Sequence, residues 1–118
     1  FTFVEDIVHG LTKIHFNPPS QQETQNIMEP DKSSAPFRIV NIGNNNPTKL
    51  LDYIAAIENK LNKKAKVSLL PLQPGDVKDT YADVSKLINE FGYQPSVSVD
   101  EGVGIFIEWY LDYYNINI

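Results

Sequence analysis

The sequence predicts an α/β chain of the α+β kind, a small single domain in which about four helices are joined by short strands and turns. Three observations lead there. Apolar residues recur at helical spacing in separate segments. Short runs at Phe1–Val4, Phe37–Ile42 and Lys66–Leu70 are rich in alternating, β-branched or aromatic residues, as strands are. Clusters of Pro, Gly and Asn separate these elements. With 118 residues, 42% of them hydrophobic, the chain has the material for one modest core.

Phe1-Thr2-Phe3-Val4 reads as a strand stub. A helix is expected from Glu5 to Phe16, because Ile7, Val8, Leu11 and Ile14 form one apolar stripe and the two carboxylates Glu5 and Asp6 favour its positive end. Residues 17–36 hold four prolines and many Gln, Ser and Asn, so a long surface loop, mobile or disordered, is expected there. After the strand at Phe37–Ile42, Gly43-Asn44-Asn45-Asn46 turns the chain. Asn46 is expected to cap a helix that starts at Pro47, runs to about Asn62 and buries Leu50, Leu51, Ile54, Ile57 and Leu61. Lys66–Leu70 leads into the loop Gln73–Asp83. A short helix from Val84 to Phe91 follows, with Asp83 as its cap and Gly92 as its left-handed stop. The last helix is expected from an Asp100 cap to about Tyr114, with Val103, Phe106, Ile107, Tyr110 and Tyr114 facing inward.

Composition excludes several classes of function. A net charge of −5 and a single arginine, Arg38, argue against a nucleic-acid partner. The longest apolar-rich stretch, Val103 to Tyr114, is broken by Gly104, Glu108 and Asp112, so no membrane span is expected and a cytoplasmic location is. The absence of cysteine removes disulfides, thiol catalysis and zinc–thiolate sites. His9 and His15 are six apart and do not share a helix face as metal ligands would. Gly102-Val103-Gly104 lacks the third glycine of a dinucleotide fingerprint and fits close helix packing better. The turn at Gly43–Asn46 fits a helix cap better than an anion cradle, since it has no Lys-Ser/Thr. Trp109, Tyr110, Tyr113 and Tyr114 read as core and rim.

Gln73-Pro74-Gly75-Asp76-Val77-Lys78-Asp79-Thr80-Tyr81-Ala82-Asp83 is the stretch richest in chemistry. Pro, Gly and Asp are the commonest turn formers, and a plain reverse turn accounts for its composition. Gln73 and Asp76 also offer an amide and a carboxylate, groups that grip hydroxyls and base edges. Together with Phe1-Thr2-Phe3-Val4-Glu5-Asp6-Ile7 and Val40-Asn41-Ile42-Gly43-Asn44, this wording resembles the C-terminal, substrate-binding lobe of nucleotide-sugar epimerases of the extended short-chain dehydrogenase/reductase family. Within that family the UDP-glucuronate 4-epimerase branch is the best fit. The resemblance covers nearly the whole chain and is weakest over 17–35.

That resemblance implies a small substrate-binding lobe without the Rossmann domain. It implies a parent enzyme that inverts UDP-glucuronate at C4 with NAD, and a site lined by Gln73, Asp76 and Thr80, with Val77 and Phe1 nearby. Gln at position 73, where galactose-type relatives often carry Arg, is typical of the uronate branch. Related decarboxylases and dehydratases share the lobe design, and a non-catalytic interaction module is the reading from another class. The family's phosphate-binding Arg would precede Phe1, and Phe1 is not an initiating residue, so a fragment is expected. Its partner would be the missing N-terminal Rossmann lobe, and non-native self-association is expected when that lobe is absent.

The family's reaction needs a Tyr with a Lys four residues later. Tyr53, Tyr81, Tyr93, Tyr110, Tyr113 and Tyr114 are followed at that distance by Ile57, Ser85, Val97, Tyr114, Asn117 and Ile118. Neither the catalytic pair nor a glycine fingerprint is encoded, so no catalytic residue and no bound cofactor is expected in this chain. Titration of NAD into the 118-residue chain should therefore give no saturable heat; micromolar binding would contradict this reading.

Overall fold

Four segments realise their helical periodicity: α1 (Val4–His15), α2 (Leu50–Leu61), α3 (Ser85–Phe91) and α4 (Val99–Tyr113). A computed structural model describes residues 1–20, 30, 31, 33, 35–77 and 79–117. The chain divides into two units. One holds Phe1, α2, α4 and the segment that leads from α2 to Tyr81; the other holds α1, α3 and the turns beside them. The long loop expected over 17–36 falls largely outside the described residues, which omit 21–29, 32 and 34.

In the α1–α3 unit the core is Val84, Leu87 and Tyr93, with Ile14, Val40, Ile42, Ala82 and Phe91 packed around it. Tyr93, expected only to help turn the chain, is 1% exposed. Its hydroxyl donates to the Gly43 carbonyl at 3.0 Å, which satisfies a buried polar group that would otherwise be costly. The ring lies against α1 at Gly10, where an added Cβ would come within 3.1 Å of its Cε2 atom. The buried positions of α1 are accordingly Asp6 and Gly10, while Val4, Val8 and Leu11 are exposed. Only part of the expected stripe faces the core, because the shape of the Tyr93 ring selects the helix face with no side chain at position 10.

Asp6 is 3% exposed, and its Oδ1 accepts the Ser96 amide at 3.1 Å, tying the start of α1 to the turn after α3. Lys13 closes the same unit by donating to the Gly92 carbonyl at 2.9 Å. Gly92 ends α3 at φ 60°, the left-handed conformation expected of it. Arg38 pairs with Glu90 at 2.7 Å and lies over the Phe91 ring at 5.4 Å.

The α2–α4 unit packs around Ala56, Val103 and Ile107, flanked by Tyr53, Ile57, Leu61, Val99 and Leu111. Gly102 is buried in α4, and Lys60 of α2 pairs with Glu108 of α4. Leu50 and Leu51, expected inside, are 64% and 61% exposed. Phe106, Tyr110 and Tyr114 are also exposed, although Val103 and Ile107 are buried as expected.

All four helix starts differ from expectation; α3 begins at Ser85, with Val84 at its cap position. α1 begins at Val4, which removes the last residue of the strand stub. α2 begins at Leu50, where the Lys49 carbonyl accepts the Asp52 and Tyr53 amides at 3.1 and 3.2 Å, so Asn46 and Pro47 precede the helix. The cap of α4 is Ser98, whose hydroxyl accepts the Glu101 amide at 3.2 Å; Asp100 lies within the first turn instead. Ser and Asp are comparable caps, and the backbone chose the one that is still extended, Ser98 at ψ 162°.

The expected strands are the larger correction. Among the described residues there is no strand; Arg38 alone makes an isolated bridge within Phe37–Ile42, and neither Phe1–Val4 nor Lys66–Leu70 forms a ladder. Leu69 and Leu70 are 83% and 77% exposed. Alternation prepares a face for burial, but a strand exists only where a neighbouring chain supplies hydrogen-bond partners. No described helix is long and apolar enough to cross a membrane.

Tyr93→Phe should lower the unfolding free energy by about 1–2 kcal/mol, because the Gly43 carbonyl loses its buried donor; chemical denaturation measures this. Burial, with Asp6 nearby, pushes the Tyr93 phenol above its usual range. Its contribution to stability is therefore complete below the ordinary tyrosine range and is lost as pH rises through the raised value. The Phe variant should lack this alkaline component.

Candidate functional site

After α2 the chain runs from Lys63 to Val84 without regular structure among the described residues. Glu58 anchors its start, accepting from Lys64 at 2.6 Å and from the Ala65 amide at 2.8 Å. The Lys64 bond, with the Ala65 amide, holds the Glu58 carboxyl below its usual range.

Within this run Gln73-Pro74-Gly75-Asp76 forms a closed turn: the Asp76 amide donates to the Gln73 carbonyl at 3.1 Å, and Gly75 has φ 93°. Proline fixes the second position and positive φ occurs at the third, the pattern of a type II turn. The turn brings Gln73 and Asp76 to its two ends, and both are exposed. Val77 and Thr80 are exposed as well. Phe1 belongs to the same unit and stacks on Tyr53 of α2 with ring centroids 4.3 Å apart and an interplanar angle of 20°. Of the five residues singled out by sequence, the turn joins Gln73 and Asp76, and Phe1 is held by a different partner. Such a loop offers acceptors and donors to a polar ligand.

Val84, and not the expected Asp83, holds the cap position of α3 and makes no side-chain cap bond; the loop ends at Asp83. Its Oδ1 accepts from the Ser85 hydroxyl at 2.6 Å and the Ser85 amide at 2.9 Å, and these bonds hold its carboxyl below the ordinary range. The Asp83 carbonyl accepts from the Asn41 side-chain amide at 3.1 Å.

Two features escaped the sequence reading. A cavity of about 320 Å³ in the α1–α3 unit is lined by Pro30, Asp31, Ile39, Val40, Asn41, Asp83 and Lys86. Lys86 pairs with Asp31 there at 2.5 Å. Its walls are far apart in sequence, so no local pattern announces it. The second is the exposed aromatic run on α4, where Trp109 stacks on Tyr113 at 5.3 Å and Tyr110 lies 4.7 Å from Tyr114. The spacing made these rings visible, but not their outward direction. No group of three or more potential metal ligands occurs among the described residues.

Comparison with known proteins gives this loop its context. The chain is similar to part of nucleotide-sugar epimerase-like proteins. It is 41% identical over 116 residues to Protein CapI of Staphylococcus aureus, covering 97% of this chain and 35% of that protein. It is 37% identical over 116 residues to a probable UDP-glucuronate 4-epimerase of Rhizobium meliloti, covering 93% of this chain and 33% of the relative. UDP-glucuronate 4-epimerase 1 of Arabidopsis thaliana is 34% identical over 118 residues, covering 99% of this chain and 27% of the relative. The chain thus spans about a third of the length of these relatives or less. No family model matches it.

The depressed Asp83 carboxyl implies a directional pH effect. The Asp83–Ser85 bonds should be complete above the ordinary carboxylate range and should fail only as pH falls through the lowered value. An NMR titration should show the Ser85 amide shifting below the range of a free aspartate, and Asp83→Asn should abolish that step.

Proposed function

We propose that this chain is the C-terminal, substrate-binding lobe of an NAD-dependent UDP-glucuronate 4-epimerase, and that it holds the nucleotide part of the UDP-sugar. The observation that carries this is the Gln73–Asp76 turn, which presents an amide and a carboxylate to solvent from one closed loop in a chain related to UDP-glucuronate 4-epimerases. Asp76 accepts hydrogen bonds from ribose hydroxyls. Gln73 pairs with a carbonyl or amide edge of the base. Thr80 and Val77 complete the loop's contact, and Phe1 adds an apolar flank. These groups position the substrate, and positioning by itself supplies a large share of a rate enhancement.

The residues of this chain do not fit a dinucleotide. Gly102 and Gly104 lie inside α4, with Gly102 buried and Gly104 facing Lys60. The close approach that Gly43 could offer a phosphate is filled, since a Cβ there would lie 2.8 Å from that of Ala82. No chemical step is therefore assigned to these residues. NAD and the hydride transfer belong to an N-terminal Rossmann lobe of the intact protein, which is also this lobe's partner.

In the intact protein, Asp76→Ala should raise the KM for UDP-glucuronate by an amount on the order of 1–2 kcal/mol, the worth of a charge-assisted hydrogen bond, with kcat little changed. Steady-state kinetics test this. An unchanged KM removes Asp76 from the site.

A further inference from the structure

We propose that Gly75 is a positioning residue for nucleotide recognition, acting only through its backbone; this rests on the reading of Gln73 and Asp76 given above. Gly75 has φ 93°, and a Cβ built on it meets nothing within 4 Å. Packing therefore does not require glycine at this position. What requires it is the turn: with proline at the second position, the closure between the Gln73 carbonyl and the Asp76 amide at 3.1 Å needs positive φ at the third. A residue with a Cβ is strained there whatever the space around it.

Closure fixes the separation of the first and fourth residues of the turn, which are the two with polar side chains. Neither the Gln73 nor the Asp76 side chain makes a hydrogen bond among the described residues, and both are exposed. Nothing else described in the chain thus sets the direction of these two groups. The turn is the device that presents an amide and a carboxylate together to one ligand, and Gly75 holds the turn in that form. A relaxed turn would leave each group free to bind but no longer as a pair.

The test is steady-state kinetics of the intact protein with UDP-glucuronate, and competition by UDP, for Gly75→Ala, Gly75→Asn and Asp76→Ala. Gly75→Ala should raise KM and the UDP inhibition constant by about tenfold with kcat nearly unchanged, the effect of strain at a positive φ. Gly75→Asn, which tolerates that φ, should restore both to within about twofold. If Gly75→Ala leaves both constants unchanged while Asp76→Ala raises them, the positioning role falls and the nucleotide site stands. If Asp76→Ala also has no effect, the site reading itself fails. Equal losses for Ala and Asn at position 75 would also overturn the proposal, since side-chain bulk would then be responsible and not φ.

Discussion

The α1–α3 unit depends on one buried side chain. Tyr93 fills its centre, bonds the Gly43 carbonyl through its hydroxyl and lies against α1 where Gly10 leaves room. Three other pieces of chain meet this ring: α1, the turn at Gly43 and Val84 just before α3. An aromatic ring supplies much apolar area, and its polar tip needs a partner once buried. That double demand decides which face of α1 turns inward and why a glycine stands at position 10. Asp6, bonded to Ser96, and Lys13, bonded to the Gly92 carbonyl, fasten the same helix to the same turn from either side of Gly10.

The α2–α4 unit is built on a different principle. Its buried residues are Ala56 of α2 and Gly102, Val103 and Ile107 of α4. Tyr53, Ile57, Leu61, Val99 and Leu111 flank them, while other large apolar residues of the two helices, including Leu50, Phe106 and Trp109, remain exposed. A helix with apolar residues on more than one face buries only the face for which a partner is present. The same rule applies to Val67, Leu69, Leu70 and Leu72, which are exposed along the extended segment after α2.

The candidate site belongs to that extended segment and owes its form to local chemistry. Glu58 and Lys64 hold the segment where it leaves α2, and Asp83 holds it where it enters α3. Between them, proline and glycine close the Gln73–Asp76 turn without help from packing. A site of this kind is legible in sequence because its geometry is written in two adjacent residues. Thr80, Val77 and Phe1 are different: their residue types fit the resemblance, but their arrangement toward a ligand is a long-range matter.

By itself the sequence determined the existence of four helices, the left-handed stop at Gly92 and the Gln73–Asp76 turn. All of these are local, fixed by periodicity within one segment or by the conformational limits of Gly and Pro. It also carried the epimerase-like family resemblance, since motif wording survives without coordinates. Tertiary structure alone decided that Tyr93 is core, that Asp6 and Gly10 face inward on α1, and that Ser98 caps α4 in place of Asp100. It also decided that Phe37–Ile42 and Lys66–Leu70, though patterned as strands, form no ladder among the described residues. The physical reason is common to these cases. A residue's own chemistry sets the local conformations open to it, but burial and strand pairing are properties of two surfaces, and the second surface is supplied by distant parts of the chain.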